Sequence, residues 1–463
     1  MFNGHSGLLS RAMLAAVPLI IAACAGQRSM RHSASTTTAP PAELKRSAES
    51  DPTLRTPSIS PARAMSSPTH RVTAPEPWTV YDTDPEHPWN QLHQALFGRV
   101  DGKGREFGRA ALDPYLWPSS THLRTESSQK DALRALDEFL TAPRTGPWED
   151  SLRRAMMQRD LWAVFDQVTM GGEATPLPKL EHRLVQAIRT FALSKTEVLD
   201  LPDSLELAVA SGAFPTTFAR DHPTTTYLPP ELADPTGAWI CLGRHDGPAA
   251  IAHVASFPFY GRSVFLPCLR APAGRDATTK FLAAVQENPR SADVPGGSEV
   301  ALIRRALLID KSGEIVPSPI VESIQLRHLY GTSGMRPFEL TLDRDRLFQH
   351  EQGGLAAVGF EQQDFALFRS PALDPFESRV FMDTAGTAQG AIPLLNCRQC
   401  HFVPGLETTE AESILSVTRK GFPVPAGQSA SVRPSSIEEA SSQTIAWKRT
   451  HPSWNRLWEL WGK

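Results

Sequence analysis

The sequence predicts an α+β chain of several domains: a helical part towards the N-terminus, a mainly antiparallel β part in the middle and a small α-helical C-terminal module. Three observations lead there. Apolar residues recur at three- and four-residue spacing between about 128 and 211. Between 236 and 370 short apolar runs punctuated by turn residues take their place. A Pro/Thr-rich connection at 215–235 separates the two patterns. A chain of 463 residues has room for roughly two or three domains, and 41% apolar residues supply ordinary cores. The net charge of -3 removes any bulk electrostatic case for nucleic acid.

The first 23 residues read as a signal peptide, not as fold. Arg11 precedes an apolar stretch from Met13 to Ala23, too short for a spanning helix and interrupted by Pro18. It ends in Ile21-Ala22-Ala23-Cys24. That tetrapeptide resembles the lipobox of bacterial lipoproteins. The resemblance implies cleavage before Cys24, lipidation of its thiol and a membrane-lipid partner. Ala25 and Gly26 follow where an Asp would favour inner-membrane retention, so the outer membrane is the favoured destination. The plainer alternative is a cleaved signal with Cys24 unmodified. Residues 24–77, rich in Ser, Thr, Pro and Ala, read as a disordered tether.

Residues 78–214 read as the helical domain. Trp78, Tyr81, Trp89, Phe97, Tyr115 and Trp117 suggest a turn-rich entry. Ser127 or Ser128 is positioned to cap a helix through Leu140, with Leu133, Leu136 and Phe139 on its apolar stripe. Further helices are expected at about 148–170, 178–194 and 203–211, the last stopping at Gly212. Beyond the linker, 236–370 reads as strands at 238–242, 250–254, 263–266, 300–303, 306–309, 320–326 and 338–342, packed as a sandwich, with one helix near 276–286. Asp310-Lys311-Ser312-Gly313 marks a tight turn. Cys241 and Cys268 lie in these runs, and outside the cytoplasm such a pair invites a disulfide. Two buried free thiols are the alternative. His245, His253 and Asp246 fit no common ligand spacing.

The most informative stretch is Cys397-Arg398-Gln399-Cys400-His401. Two thiols three positions apart reach the two vinyl groups on one porphyrin edge, and the next residue offers an imidazole to the iron. Only five cysteines occur in the chain, which makes the coincidence informative. A zinc site would need more ligands than this pair provides. With a terminal aromatic stripe at Trp454, Leu457, Trp458 and Trp461, the segment 371–463 resembles a cytochrome c-like domain. The resemblance implies one covalent haem c held by Cys397, Cys400 and His401.

No Met follows His401, which departs from the usual downstream Met ligand. The one later histidine, His451, precedes Pro452 at a helix N-terminus, where the dipole favours neutral imidazole. His401 and His451 are therefore the expected metal ligands. Met382, His328, His350 and a five-coordinate iron stay open. No Gly-x-Ser-x-Gly, phosphate-binding loop or His-Glu-x-x-His occurs, so no catalytic residue is assigned. The expectation is an electron carrier of the cell envelope with an unidentified redox partner and no nucleic-acid partner. A binding or scaffold lipoprotein and a peroxidase-like haem enzyme are the alternatives.

Overall fold

Residues Ser151–Met170 form a 20-residue helix, α3, whose positions from Ala155 to Val168 are all buried. The rest of the architecture is arranged around it. This computed structural model describes residues 77–100, 106–113, 122–144, 146–170, 177–255, 259–287, 295–330, 335–359, 381–382, 388–389 and 433–462, and these lie in one compact unit, Ala74–Lys463. No helix among them is long and apolar enough to cross a membrane.

Before α3 come α1 (Pro88–Phe97) and α2 (Glu126–Thr141). The sequence reading missed α1, although Trp89, Leu92, His93, Leu96 and Phe97 repeat at helical spacing and all are buried. The cap of α2 is Thr125, whose hydroxyl accepts the Ser128 N–H at 3.3 Å, so the helix starts slightly earlier than expected. Asp150 opens α3 by accepting the N–H groups of Leu152 and Arg153. There follow α4 (Pro178–Phe191), α5 (Lys195–Leu199), closed by a Ser194/Glu197 capping box, and α6 (Ser204–Ala210).

The chain then builds one seven-stranded sheet, antiparallel throughout, so the fold is α+β. Its strands are β1 (Ile240–Gly243), β2 (Ser263–Arg270), β3 (Glu299–Ile309), β4 (Ile315–Leu329), β5 (Met335–Leu342), β6 (Leu355–Ala357) and β7 (Arg433–Pro434). The spatial order is β7-β1-β2-β3-β4-β5-β6. The two strands expected at 300–303 and 306–309 are one long β3, with its register shifting around Arg304 and Arg305. The run at 250–254 is a single helical turn, α7 (Ile251–Val254); four apolar residues do not distinguish strand from helix by period. Helix α8 (Arg275–Glu287) falls where expected, and α9 (Arg344–Phe348) links β5 to β6. Helices, not a second sheet, cover this one, in place of the expected sandwich.

Helices α10 (Ile437–Thr450) and α11 (Pro452–Trp461) end the chain. Helix α10 lies on β2, and α11 on α3 and α4. Trp454, Leu457 and Trp461 join the main core, Trp454 meeting Trp162 at 5.9 Å, while Trp458 is 48% exposed. One hydrophobic cluster draws on α1–α6, on β2–β6 and on α11. The connection at 215–235 contributes to it through Tyr227, Leu228 and Leu232.

Candidate functional site

Cys24, Cys397, Cys400 and His401 lie outside the described residues. Cys241 and Cys268 face each other across β1 and β2 and are joined by a disulfide. His451 closes α10 and caps α11. Its ring packs between Tyr260 and Trp447, at 5.0 and 5.1 Å. Burial, reinforced by the Lys448 ammonium, lowers its pKa to about 4. Neutral imidazole is what the sequence reading expected there, but burial is the largest cause.

Which nitrogen carries the His451 proton matters for coordination. Nδ1 lies 2.8 Å from Ser453 Oγ and 3.4 Å from the Ser453 backbone N. The backbone N–H can only donate, so this cap places the proton on Nε2. Coordination through Nε2 would move it to Nδ1, which would then donate to Ser453 Oγ and surrender the weaker backbone contact.

His328, on β4, is disposed the other way. Its Nδ1 lies 3.4 Å from Glu299 Oε1. Burial raises the Glu299 pKa, but donation from His328 and Tyr227 and the charge of Arg270 bring it below the usual range. A carboxylate only accepts, so Nδ1 is the nitrogen that carries the proton towards Glu299. This is the carboxylate–histidine arrangement that orients metal-binding imidazoles. Phe218 stacks on the ring at 4.1 Å, and His328, Phe218, Arg220 and Tyr330 line a cavity of about 540 Å³. His350 is exposed, with φ +59°. Among the described residues, no group of three or more His, Cys, Asp or Glu side chains could hold a metal ion.

The densest polar cluster was not anticipated. Arg159 of α3 donates to Glu322 of β4 at 2.5 Å and to Asp113 at 2.8 Å. Arg304 reaches Asp113 at 2.9 Å and Glu322 at 3.0 Å. Arg262 bonds Asp166 at 2.7 Å, as does Lys448. Arg344 and the Tyr81 hydroxyl share Asp160, each at 2.6 Å. All are buried. Burial pushes the Asp113 carboxyl up, but Arg159, Arg304 and Arg262 outweigh it and hold the pKa well below the carboxylate range. Five cations meet four carboxylates, and the contacts tie α3 to the sheet and to α10. The sequence carried one cue: Arg159, Asp160 and Asp166 interrupt a helix too long to be a loop and too mixed to show a stripe.

Comparison with family models, with curated proteins and with solved structures returned no match. The functional reading therefore rests on the residues themselves.

Proposed function

We propose that this chain is an exported, lipid-anchored c-type haem protein of a bacterial cell envelope, acting in one-electron transfer. The observation that carries the reading is Cys397-Arg398-Gln399-Cys400-His401. Its cysteines are the thioether donors and His401 is the proximal imidazole. Bound haem supplies a one-electron iron couple. The apolar start ending at Cys24 supports export and anchoring. The disulfide at Cys241 and Cys268 supports the same placement, because such bridges persist in oxidising compartments.

Two residues compete for the second axial position. His451 fits after the proton shift described above. His328 fits without one, because Glu299 already holds the proton on Nδ1. Either would make a bis-imidazole centre, of lower potential than His/Met.

Haem staining of the exported protein after denaturing electrophoresis, with the intact mass, tests the reading. The expected result is a stained band and a mass carrying one macrocycle and the acyl groups. Colourless protein without room for a macrocycle ends it. Reduced spectra of His451→Ala and His328→Ala then identify the ligand. The variant that converts a closed site into one binding carbon monoxide has lost it.

A further inference from the structure

A second site lies away from His451, His328 and the buried charge cluster. The loop after α2, the first turn of α3, the C-terminal half of α4 and the β3–β4 turn enclose a cleft of about 930 Å³. Five cations line it: Arg144, Arg154, Arg183, Arg189 and Lys311. Glu149 is the single acid on the lining. Asp137 pairs with Arg183 at 2.7 Å, and Glu197 serves both Arg154 and Lys311, at 3.7 and 3.1 Å. Three carboxylates against five cations leave a surplus of two.

The surplus falls on particular side chains. Neither Arg144 nor Arg189 has a carboxylate partner among the described residues. Each guanidinium instead lies over an indole, Arg144 over Trp148 at 5.4 Å and Arg189 over Trp461 at 5.9 Å. Stacking of this kind fixes the plane of the fork and leaves its N–H edge for an acceptor. Arg154 adds a second sign. Its Nη2 donates to Ala192 O at 2.9 Å, which suits a cation at the α4 C-terminus, but its buried Nε has no hydrogen-bond partner. Burial lowers the Arg154 pKa, Glu197 opposes that, and repulsion from Arg144 adds to it. An anion in the cleft would relieve the repulsion between Arg154 and Arg144.

We propose that this cleft binds a phosphate-bearing anion, with Arg144, Arg154 and Arg189 on the phosphate oxygens and Trp148 and Trp461 against the body that carries them. Planar guanidinium forks match phosphate with two parallel hydrogen bonds. The half-buried Trp148 and the buried Trp461 supply an apolar wall beside the charge. The same chemistry is offered by a soluble phosphate ester and by an anionic phospholipid headgroup. The cations of the site take no part in the haem reading, and the two share only Trp461 of the terminal stripe.

The test uses the full exported protein with two probes. Pyrophosphate is titrated against tryptophan fluorescence, and vesicles of phosphatidylglycerol are compared with phosphatidylcholine in flotation. Arg144→Ala/Arg189→Ala is run beside wild type. Both side chains are exposed, so its melting temperature is expected to match wild type. Should it not, Arg189→Lys, which keeps the charge and loses the fork, takes its place. Saturable pyrophosphate binding, weakened about tenfold or more by the substitution, assigns a soluble phosphate. Selectivity for phosphatidylglycerol that disappears in the variant, without pyrophosphate binding, assigns a headgroup; the anchor at Cys24 is common to both proteins and cancels. If wild type and variant behave alike towards both probes, the proposal is overturned.

Discussion

Lys448 Nζ lies 2.7 Å from Asp166 Oδ2, 282 residues apart in sequence, with both side chains wholly buried. This contact fastens α10 to α3. Burial lowers the Lys448 pKa to about 8, and the Asp166 carboxylate limits the fall. Removing Lys448 leaves Asp166 with Arg262, 2.7 Å away, as its remaining cation. Lys448→Met is therefore expected to lose about 1.5–3 kcal/mol in urea denaturation, the worth of one charged hydrogen bond. Asp166→Leu/Lys448→Met should not recover that loss, since the buried Arg262 then loses its Asp166 carboxylate as well. Equal stability of wild type and Lys448→Met would mean that the terminal helices are not held through this pair.

A second contact involves the β3–β4 turn. Asp310 Oδ1 accepts the N–H groups of Ser312 and Glu314, and Gly313 sits at φ +87°. A Cβ there would fall 2.7 Å from Trp458 Cζ3 and from Trp461 Nε1. Gly313→Ala should thus cost about 2–3 kcal/mol, from backbone strain plus displacement of the two indoles. Gly274, at φ +86° with nothing within 4 Å of an added Cβ, isolates the strain. Gly274→Ala should cost about 1 kcal/mol and leave the indole fluorescence unchanged.

Reduction of the Cys241–Cys268 bridge offers another check. The cysteines are 27 positions apart. In the chain-entropy account, freeing a loop of that size loses about 3–4 kcal/mol. Cys241→Ser/Cys268→Ser should show that loss in denaturant midpoint, and wild type under strong reductant should match it. A non-reducing peptide map of the purified protein that finds two free thiols would remove the bridge.

The strands were largely legible, because β2 to β5 are rich in β-branched and apolar residues between turn residues. Helix α1 escapes the sequence reading although Pro88 opens it and its apolar positions repeat at helical spacing, because the aromatic residues on either side of it read as a turn-rich entry. The charge network was not legible. Arg159 finds Asp113 46 positions back and Glu322 163 positions on, and no local pattern encodes either distance. For the same reason the arginine-rich cleft looks in sequence like scattered surface charge: Arg144, Arg154, Arg189 and Lys311 meet only once α3, α4 and the β3–β4 turn are packed. The Cys241/Cys268 pairing was legible from the sequence, and the β1–β2 register supplies its geometry by setting the two residues opposite each other.

Acid stability follows from four histidines. Burial, the largest cause for each, lowers His93, His122, His253 and His451 to about 4. Unfolded histidine titrates near 6.5. Between those values the unfolded chain takes up protons that the folded chain refuses. The stabilisation is complete above pH 6.5 and is lost as pH falls towards 4, at up to about 1.4 kcal/mol per pH unit for each ring. The carboxylates Asp113, Asp166 and Glu299, all lowered, act in the same direction but only below the normal carboxylate range. Urea midpoints should therefore begin to fall near pH 6.5, well before any carboxylate protonates. His93, whose Nε2 lies 3.2 Å from Arg109 O, can be replaced by Gln with that hydrogen bond kept. His93→Gln should make the slope between pH 4.5 and 6 shallower by about one ring's share. A midpoint that stays level down to pH 4 would show these rings to be protonated in the folded chain and the prediction to be wrong.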